Sequence, residues 1–124
     1  MRLFAVFSLL LVFFLGCSSQ PDSPTAIQGR IFFLKQPLAG GTIVFIPDPT
    51  RGSSGPMASA EILADGSFAI QPQPGKEPPR PGWYRVTMAP STANLPARFS
   101  DPGLSGLVRE IKGGIVNNFD FYLE

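Results

Sequence analysis

Apolar residues along most of the chain recur at every second position, in short runs that end at Gly, Pro or Asp. This period-two pattern is typical of β-strands with one buried face, because successive side chains of a strand point to opposite sides. Beyond the N-terminal segment, no stretch sustains the 3.6-residue period of an amphipathic helix. The pattern predicts seven strands, at 26–34, 42–46, 57–63, 67–71, 83–89, 107–111 and 115–123.

The same alternation predicts the core. Five aromatic residues fall on inward positions of their strands: Phe33, Phe45, Phe68, Phe119 and Phe121. Trp83 and Arg85 fall on the outward side of a strand that turns Tyr84 inward. An Asp-Gly turn at 65–66 predicts a hairpin, and five prolines within 71–82 predict an extended loop. Seven short antiparallel strands therefore predict an all-β, two-sheet sandwich with a Greek-key-like path.

Residues 1–16 depart from this pattern. Arg2 is followed by thirteen residues that are apolar except for Ser8. The run is shorter than the roughly 20 residues that a membrane-spanning helix needs. It predicts a secretory signal peptide over 1–16, with a buried strand or helix of the fold as the alternative. The polar, proline-rich residues up to 25 predict a flexible tether, and 26–124 form the predicted sandwich domain.

The end of the signal segment, Phe14-Leu15-Gly16-Cys17, resembles the lipobox of bacterial lipoproteins. The resemblance implies cleavage between Gly16 and Cys17, a diacylglyceryl thioether on Cys17 and a further acyl chain on the new N-terminus. Two or three chains hold a small domain on a membrane persistently. In an envelope with two membranes, Ser18 implies sorting to the outer membrane. The alternative for Cys17 is a thiol that is free or pairs between molecules.

The amino-acid composition excludes several kinds of functional site. The chain has no His and one Cys, which excludes intrachain disulfides, Cys/His zinc sites and an imidazole base. Without Arg2, nine basic residues balance nine acidic ones, so the chain lacks the excess of basic residues that is typical of nucleic-acid-binding proteins. We expect no enzyme activity, no cofactor and no metal. The acidic candidates are Asp48, Asp65, Asp101, Glu110 and Asp120. The three that lie at Gly or Pro turns, Asp48, Asp65 and Asp101, are interpreted as turn residues; the alternative is that two loop aspartates meet and bind calcium.

Several segments in chain order carry a second resemblance. A Pro-Leu-x-Gly-Gly turn leads into x-Ile-x-Phe-x-Pro over 34–47, and Asp-Gly-Ser-Phe follows at 65–68. Pro-Gly-Trp-Tyr-Arg-Val occupies 81–86, and the last strand spans 114–123. This order is similar to the transthyretin-like, carboxypeptidase-regulatory-type domain of small predicted bacterial lipoproteins, including those abundant in planctomycetes. The resemblance implies the sandwich fold, and it does not imply peptidase activity.

Trp83, with Arg80 and Arg85 nearby, is the most suggestive exposed feature. An outward aromatic beside charged residues can form a platform for sugar or peptide, although it can also be an edge residue packed under the proline-rich loop. The sequence favours an exported, membrane-anchored envelope protein with a non-catalytic interaction or structural module. Its expected partners are the membrane and an envelope protein or polysaccharide. The alternative is a lipoprotein that binds carbohydrate through end loops and exposed aromatics; an unfamiliar enzyme is the third hypothesis.

Overall fold

The computed structural model describes residues 25–91 and 94–124, so the predicted signal peptide, Gly16, Cys17 and nearly all of the predicted tether lie outside the described residues. Two 3₁₀ turns, Pro49–Arg51 and Ala97–Ser100, accompany the strands. Among the described residues, no helix has the length and apolar character needed to cross a membrane. The strands are β1 (Ala26–Phe33), β2 (Gln36–Pro37), β3 (Thr42–Pro47), β4 (Ala58–Glu61), β5 (Ser67–Ile70), β6 (Gly82–Ala89), β7 (Val108–Ile111) and β8 (Val116–Leu123).

The strands form two sheets, which confirms the predicted all-β sandwich. In the first sheet, β8 runs along one edge of β1, whereas β5 and β2 share the other edge. The second sheet has the order β4-β3-β6-β7, and all of its strands are antiparallel. The chain crosses between the sheets four times, at β2–β3, β4–β5, β5–β6 and β7–β8.

Two details of the predicted fold are wrong. The structure has eight strands rather than seven, because Leu34 and Lys35 adopt positive φ angles and turn the two-residue β2 back onto β1. A strand this short carries no alternation that a sequence pattern could show. The second error is the expectation of antiparallel strands throughout, since β8 pairs with β1 in parallel. The path returns from the second sheet at the end where β1 begins, so both strands run the same way.

The core lies between the inner faces of the sheets. Phe45 from the second sheet meets Phe68 and Phe121 from the first, with ring centroids 6.1 and 6.4 Å apart. All three side chains are buried, and Phe33 and Phe119 are partly buried against them. The five predicted inward aromatics thus contact the core. Such rings each bury on the order of 150–250 Å², which makes them the main apolar filling of a small domain without disulfides.

The sandwich has two distinct ends. The proximal end is where residue 25 leads into β1; it also contains the connections 48–57, 71–81 and 112–115. Asn117 holds this end together, because its side-chain amide donates to Ala26 O and accepts from the N–H of Lys112. The distal end contains the turns at 34–35 and 62–66 and the end of β8.

Candidate functional site

The structure places Trp83 and Arg85 on the outer face of β6, next to the turn that follows β3. Asp48 is the centre of this group. Its backbone N–H donates to Trp83 O at 2.9 Å, and its side chain is 2% exposed. Oδ1 of Asp48 accepts hydrogen bonds from the hydroxyl of Thr50 at 2.6 Å and from its N–H at 3.0 Å. Oδ2 lies 3.2 Å from Nε of Arg85.

These contacts set the charge of the carboxyl group. The hydroxyl of Thr50 lowers the pKa of Asp48 most; burial opposes this effect, and Arg85 lowers the pKa further. Asp48 is therefore an anion at neutral pH, with both oxygens engaged. A carboxylate held in this way is poorly suited to act as a general base or as a metal ligand.

Arg51 completes the group and changes the environment of Trp83. Its Nε lies 3.6 Å from Oδ2 of Asp48, and its guanidinium carbon lies 4.8 Å from the centre of the Trp83 ring. This is cation–π geometry. The backbone N–H of Trp83 donates to the hydroxyl of Ser53 at 2.8 Å. One face of the indole is therefore covered by Arg51, so a ligand can use only what this contact leaves open.

A depression of about 240 Å³ lies over the charged group. Its polar wall comes from Asp48, Thr50, Arg51 and Arg85, and its other wall comes from residues 102–103 and 106–108. Two guanidinium groups face one carboxylate here, so the depression carries an excess of positive charge. Its chemistry suits the binding of a polar or anionic group better than proton transfer.

Arg80, the third residue of the predicted platform, has different neighbours. Its guanidinium donates to Oε1 of Glu77 at 2.9 and 3.0 Å, and its carbonyl accepts the buried hydroxyl of Tyr84 at 2.6 Å. Arg80 thereby connects the proline-rich loop to β6. The structure brings Trp83 and Arg85 together, whereas Arg80 contacts other residues and stabilises the loop.

The remaining acidic candidates lie mostly in turns or on strand faces. Asp65 accepts from the N–H and hydroxyl of Ser67, which lower its pKa, and Asp101 accepts from Gly103 N–H. The interpretation of these two as turn residues is confirmed. Glu110 lies opposite Trp83 in the β6–β7 register, and Asp120 accepts from the N–H of Arg30. In the portion of the chain that the structure describes, no three acidic or thiol side chains gather into a metal-binding group.

Sequence reasoning missed a second surface, on the outer face of the first sheet. The rings of Phe32 and Tyr122 stack with centroids 5.3 Å apart and planes within 8°, and Tyr122 is 73% exposed. A shallow depression of about 520 Å³ lies on the same face, with Gln28 bonded to Asn118 at 2.9 Å in its wall. Alternation marks both aromatics as outward. Their contact depends on the parallel β1–β8 register, which no local pattern predicts.

Comparisons with known proteins found little similarity. No model of a known protein family matches the chain, and no curated protein matches it. A similar solved structure is the dioxygenase domain of a dioxygenase and carbohydrate-binding protein fusion from the cellulolytic bacterium Streptomyces sp. SirexAA-E. It is 26% identical, covers 86% of this chain and 83% of its own, and has a TM-score of 0.47. At that TM-score the likeness supports no inference about this chain.

Proposed function

We propose that this protein is a lipid-anchored cell-envelope protein whose β-sandwich is a non-catalytic interaction or structural module. The observation that carries the proposal is the pair Gly16-Cys17 at the end of an apolar N-terminal run, eight residues before Thr25. The order of motifs that resembles transthyretin-like domains of bacterial lipoproteins supports it. An anchor at Cys17 holds the domain at its proximal end and leaves both outer faces accessible.

The state of the charged residues supports a role in binding rather than catalysis. Among the described residues, Asp48 is the buried carboxylate, and Thr50 and Arg85 occupy its oxygens. A general acid or base needs a lone pair or proton directed at a substrate. A carboxylate that joins a strand to a neighbouring turn contributes to the shape of the domain instead.

Labelling with radioactive palmitate in the producing cells tests the anchor. We expect label on the wild-type protein, none on Cys17→Ala, and undiminished label on the matched control Ser18→Ala. Cleavage before Cys17 removes sixteen residues, so labelled protein should migrate as the shorter form. Absence of label on the wild type, or equal label on Cys17→Ala, would contradict the proposal.

Carbohydrate binding is the second candidate function, and the Phe32–Tyr122 stack favours it. An exposed aromatic ring can lie against the apolar face of a sugar, and the amides of Gln28 and Asn118, four residues away along the same face, can donate to and accept from hydroxyl groups. The charged group around Trp83 provides an alternative location at the end loops.

Retention on immobilised envelope polysaccharides, followed by a glycan array, distinguishes the two locations. If the outer face of the first sheet binds sugar, Tyr122→Ala should weaken retention by roughly tenfold and Trp83→Ala should not. The reverse order assigns binding to the end loops. A folded wild-type protein that binds no polysaccharide and no glycan would overturn this second candidate while leaving the anchor proposal intact.

A further inference from the structure

We propose that the proximal end of the sandwich docks on anionic phospholipid headgroups, so that the distal end points away from the bilayer. This inference rests on the lipid anchor proposed above, and it adds a defined orientation of the domain. A tether alone would hold the sandwich near the membrane without choosing which surface faces it.

The distribution of charge supports this orientation. The three proximal connections carry four basic residues and two acidic ones, and one of the two acids, Asp48, is buried beneath Arg51 and Arg85. The proximal surface is therefore positive although the whole chain is nearly neutral. Basic side chains near an anionic membrane surface are attracted to it over about a Debye length. The basic residues are Arg51, Lys76, Arg80 and Lys112.

The distal end has the opposite balance. Glu61 and Asp65 lie at the β4–β5 turn, and Glu124 follows β8. Lys35 and Arg98 are the basic residues of this end, which leaves it with a net negative charge. An anionic bilayer would attract the proximal end and repel the distal end, so the two orientations differ in free energy.

Exposed apolar side chains lie beside the point where the chain enters the sandwich. Ile115 is 48% exposed, and its carbonyl accepts the N–H of Ala26, the first residue of β1. Val116 is exposed next to it, and Lys112 precedes it in the same connection. An apolar tip flanked by a basic residue matches the interfacial region of a membrane, where apolar groups enter the headgroup layer and cations meet phosphates.

The length of chain before the sandwich restricts the alternatives. Thr25 follows Cys17 by eight residue-to-residue steps, which extend by at most about 28 Å. The eight residues of β1 span about 26 Å, which approximates the height of the sandwich. The distal end can reach the bilayer only if the preceding chain stretches along the whole domain. The Phe32–Tyr122 stack, near the distal end of β1, would then face away from the membrane and be accessible to an envelope ligand.

Tryptophan quenching by a lipid that carries a nitroxide on its headgroup tests the orientation. Trp83 is the single tryptophan, so Trp83→Phe provides a silent background in the full lipidated protein. Ile115→Trp then reports on the proximal end, and Leu34→Trp, at a 62% exposed distal position, is its matched control. In vesicles containing phosphatidylglycerol, we expect roughly threefold stronger quenching of the Ile115 reporter, and about 1 M salt should remove the difference.

Charge variants test whether the basic residues of the proximal end cause the orientation. Lys76→Gln and Lys112→Gln should each reduce the docked fraction, with the docking equilibrium weakened about fivefold per lysine removed. Lys35→Gln, at the distal end, should leave it unchanged. Equal quenching of the two reporters, or quenching indifferent to phosphatidylglycerol, would overturn the proposal.

Flotation of the same samples separates this inference from the anchor. A protein that does not float with pure phosphatidylcholine vesicles lacks the anchor, which contradicts the proposed function. Headgroup docking is then measured by salt-sensitive flotation with phosphatidylglycerol vesicles. A protein that floats with both kinds of vesicle, but whose two reporters are quenched equally, is anchored without docking.

Discussion

Arg85 and Asp48 form an ion pair, 3.2 Å from Nε to Oδ2, that joins the outer face of β6 to the turn after β3. The carboxylate is buried, whereas the guanidinium is partly exposed. The pair also fixes the turn, because Thr50 donates to the other oxygen of Asp48. It thereby shapes the surface that includes Trp83.

We expect loss of the Arg85 charge to destabilise the fold more than loss of the Arg51 charge. Arg85→Met keeps the aliphatic stem but leaves a buried carboxylate without its nearer cation, which is unfavourable. Its melting temperature should fall by roughly 5 °C at pH 7. Arg51→Met, which removes a half-exposed guanidinium 3.6 Å from the same oxygen, should lower it less. Calorimetry that gave equal shifts would contradict this ranking.

Asp48 should also contribute to acid sensitivity. Its pKa in the folded state is lower than in the unfolded chain, so its stabilising effect is complete above about pH 4 and is lost as the pH falls through the folded-state value. Asp48→Asn should therefore be less stable than wild type at pH 7 and show a smaller loss of stability below pH 4. Asp65→Asn should remove a separate part of the loss, because Ser67 lowers the pKa of Asp65. Urea unfolding measured from pH 2 to 7 gives the pH dependence of the unfolding free energy for both variants. If both variants lost as much stability as wild type below pH 4, the two carboxylates would not contribute to acid sensitivity.

The strands could be predicted from the sequence because alternation is local. Each of the seven predicted runs overlaps a strand whose bounds differ from it by at most two residues, and the outward placement of Trp83 and Arg85 follows from the same rule. Pairing is not local. The contact between Phe32 and Tyr122 joins residues ninety positions apart, and it requires β8 to return parallel to β1.

The candidate site shows the same division. Asp48 before Pro49 correctly indicates a turn, and its carboxylate caps Thr50 N–H. Its ion pair with Arg85 exists because β3 lies beside β6 with Pro47 opposite Tyr84, a register that the sequence pattern leaves open. Arg80 is close to Trp83 in sequence, yet the loop conformation directs its guanidinium to Glu77. Proximity in sequence therefore predicted that Trp83 and Arg85 lie together, but it marked Asp48 only as a turn residue and did not predict its contact with Arg85.

The hydroxyl of Tyr84 should stabilise the proline-rich loop. It is buried and donates to Arg80 O at 2.6 Å, so Tyr84→Phe leaves that carbonyl without this donor and should cost about 1–2 kcal/mol. Burial raises the pKa of Tyr84 above its usual value near 10. The unfolded chain then ionises first as the pH rises, so stability falls above pH 10.

Tyr84→Phe should remove that contribution to the alkaline loss, while Tyr122→Phe keeps the exposed ring and should change the free energy of unfolding at pH 7 by less than about 0.5 kcal/mol. Guanidinium unfolding at pH 7 and pH 11 measures both effects. Equal stability of the two variants at pH 7 would show that the hydroxyl contributes nothing.

Gly29 should be the least replaceable glycine of the first sheet. It pairs with Phe119 in the parallel β1–β8 register, and a Cβ at this position would lie 1.7 Å from Phe119 O. The obstacle is backbone, so no side chain can rotate away, and β8 would have to separate from β1. Gly29→Ala should therefore lose at least about 3 kcal/mol of stability, at the upper end of overpacking effects. It should also weaken any binding that depends on Tyr122, because separation of these strands disrupts the stack with Phe32.

Gly103→Ala, whose Cβ would approach only the Asp101 side chain, is the matched control and should stay within about 0.5 kcal/mol of wild type. A Gly29→Ala protein with an unchanged urea midpoint would show that β1 and β8 are not paired in this register.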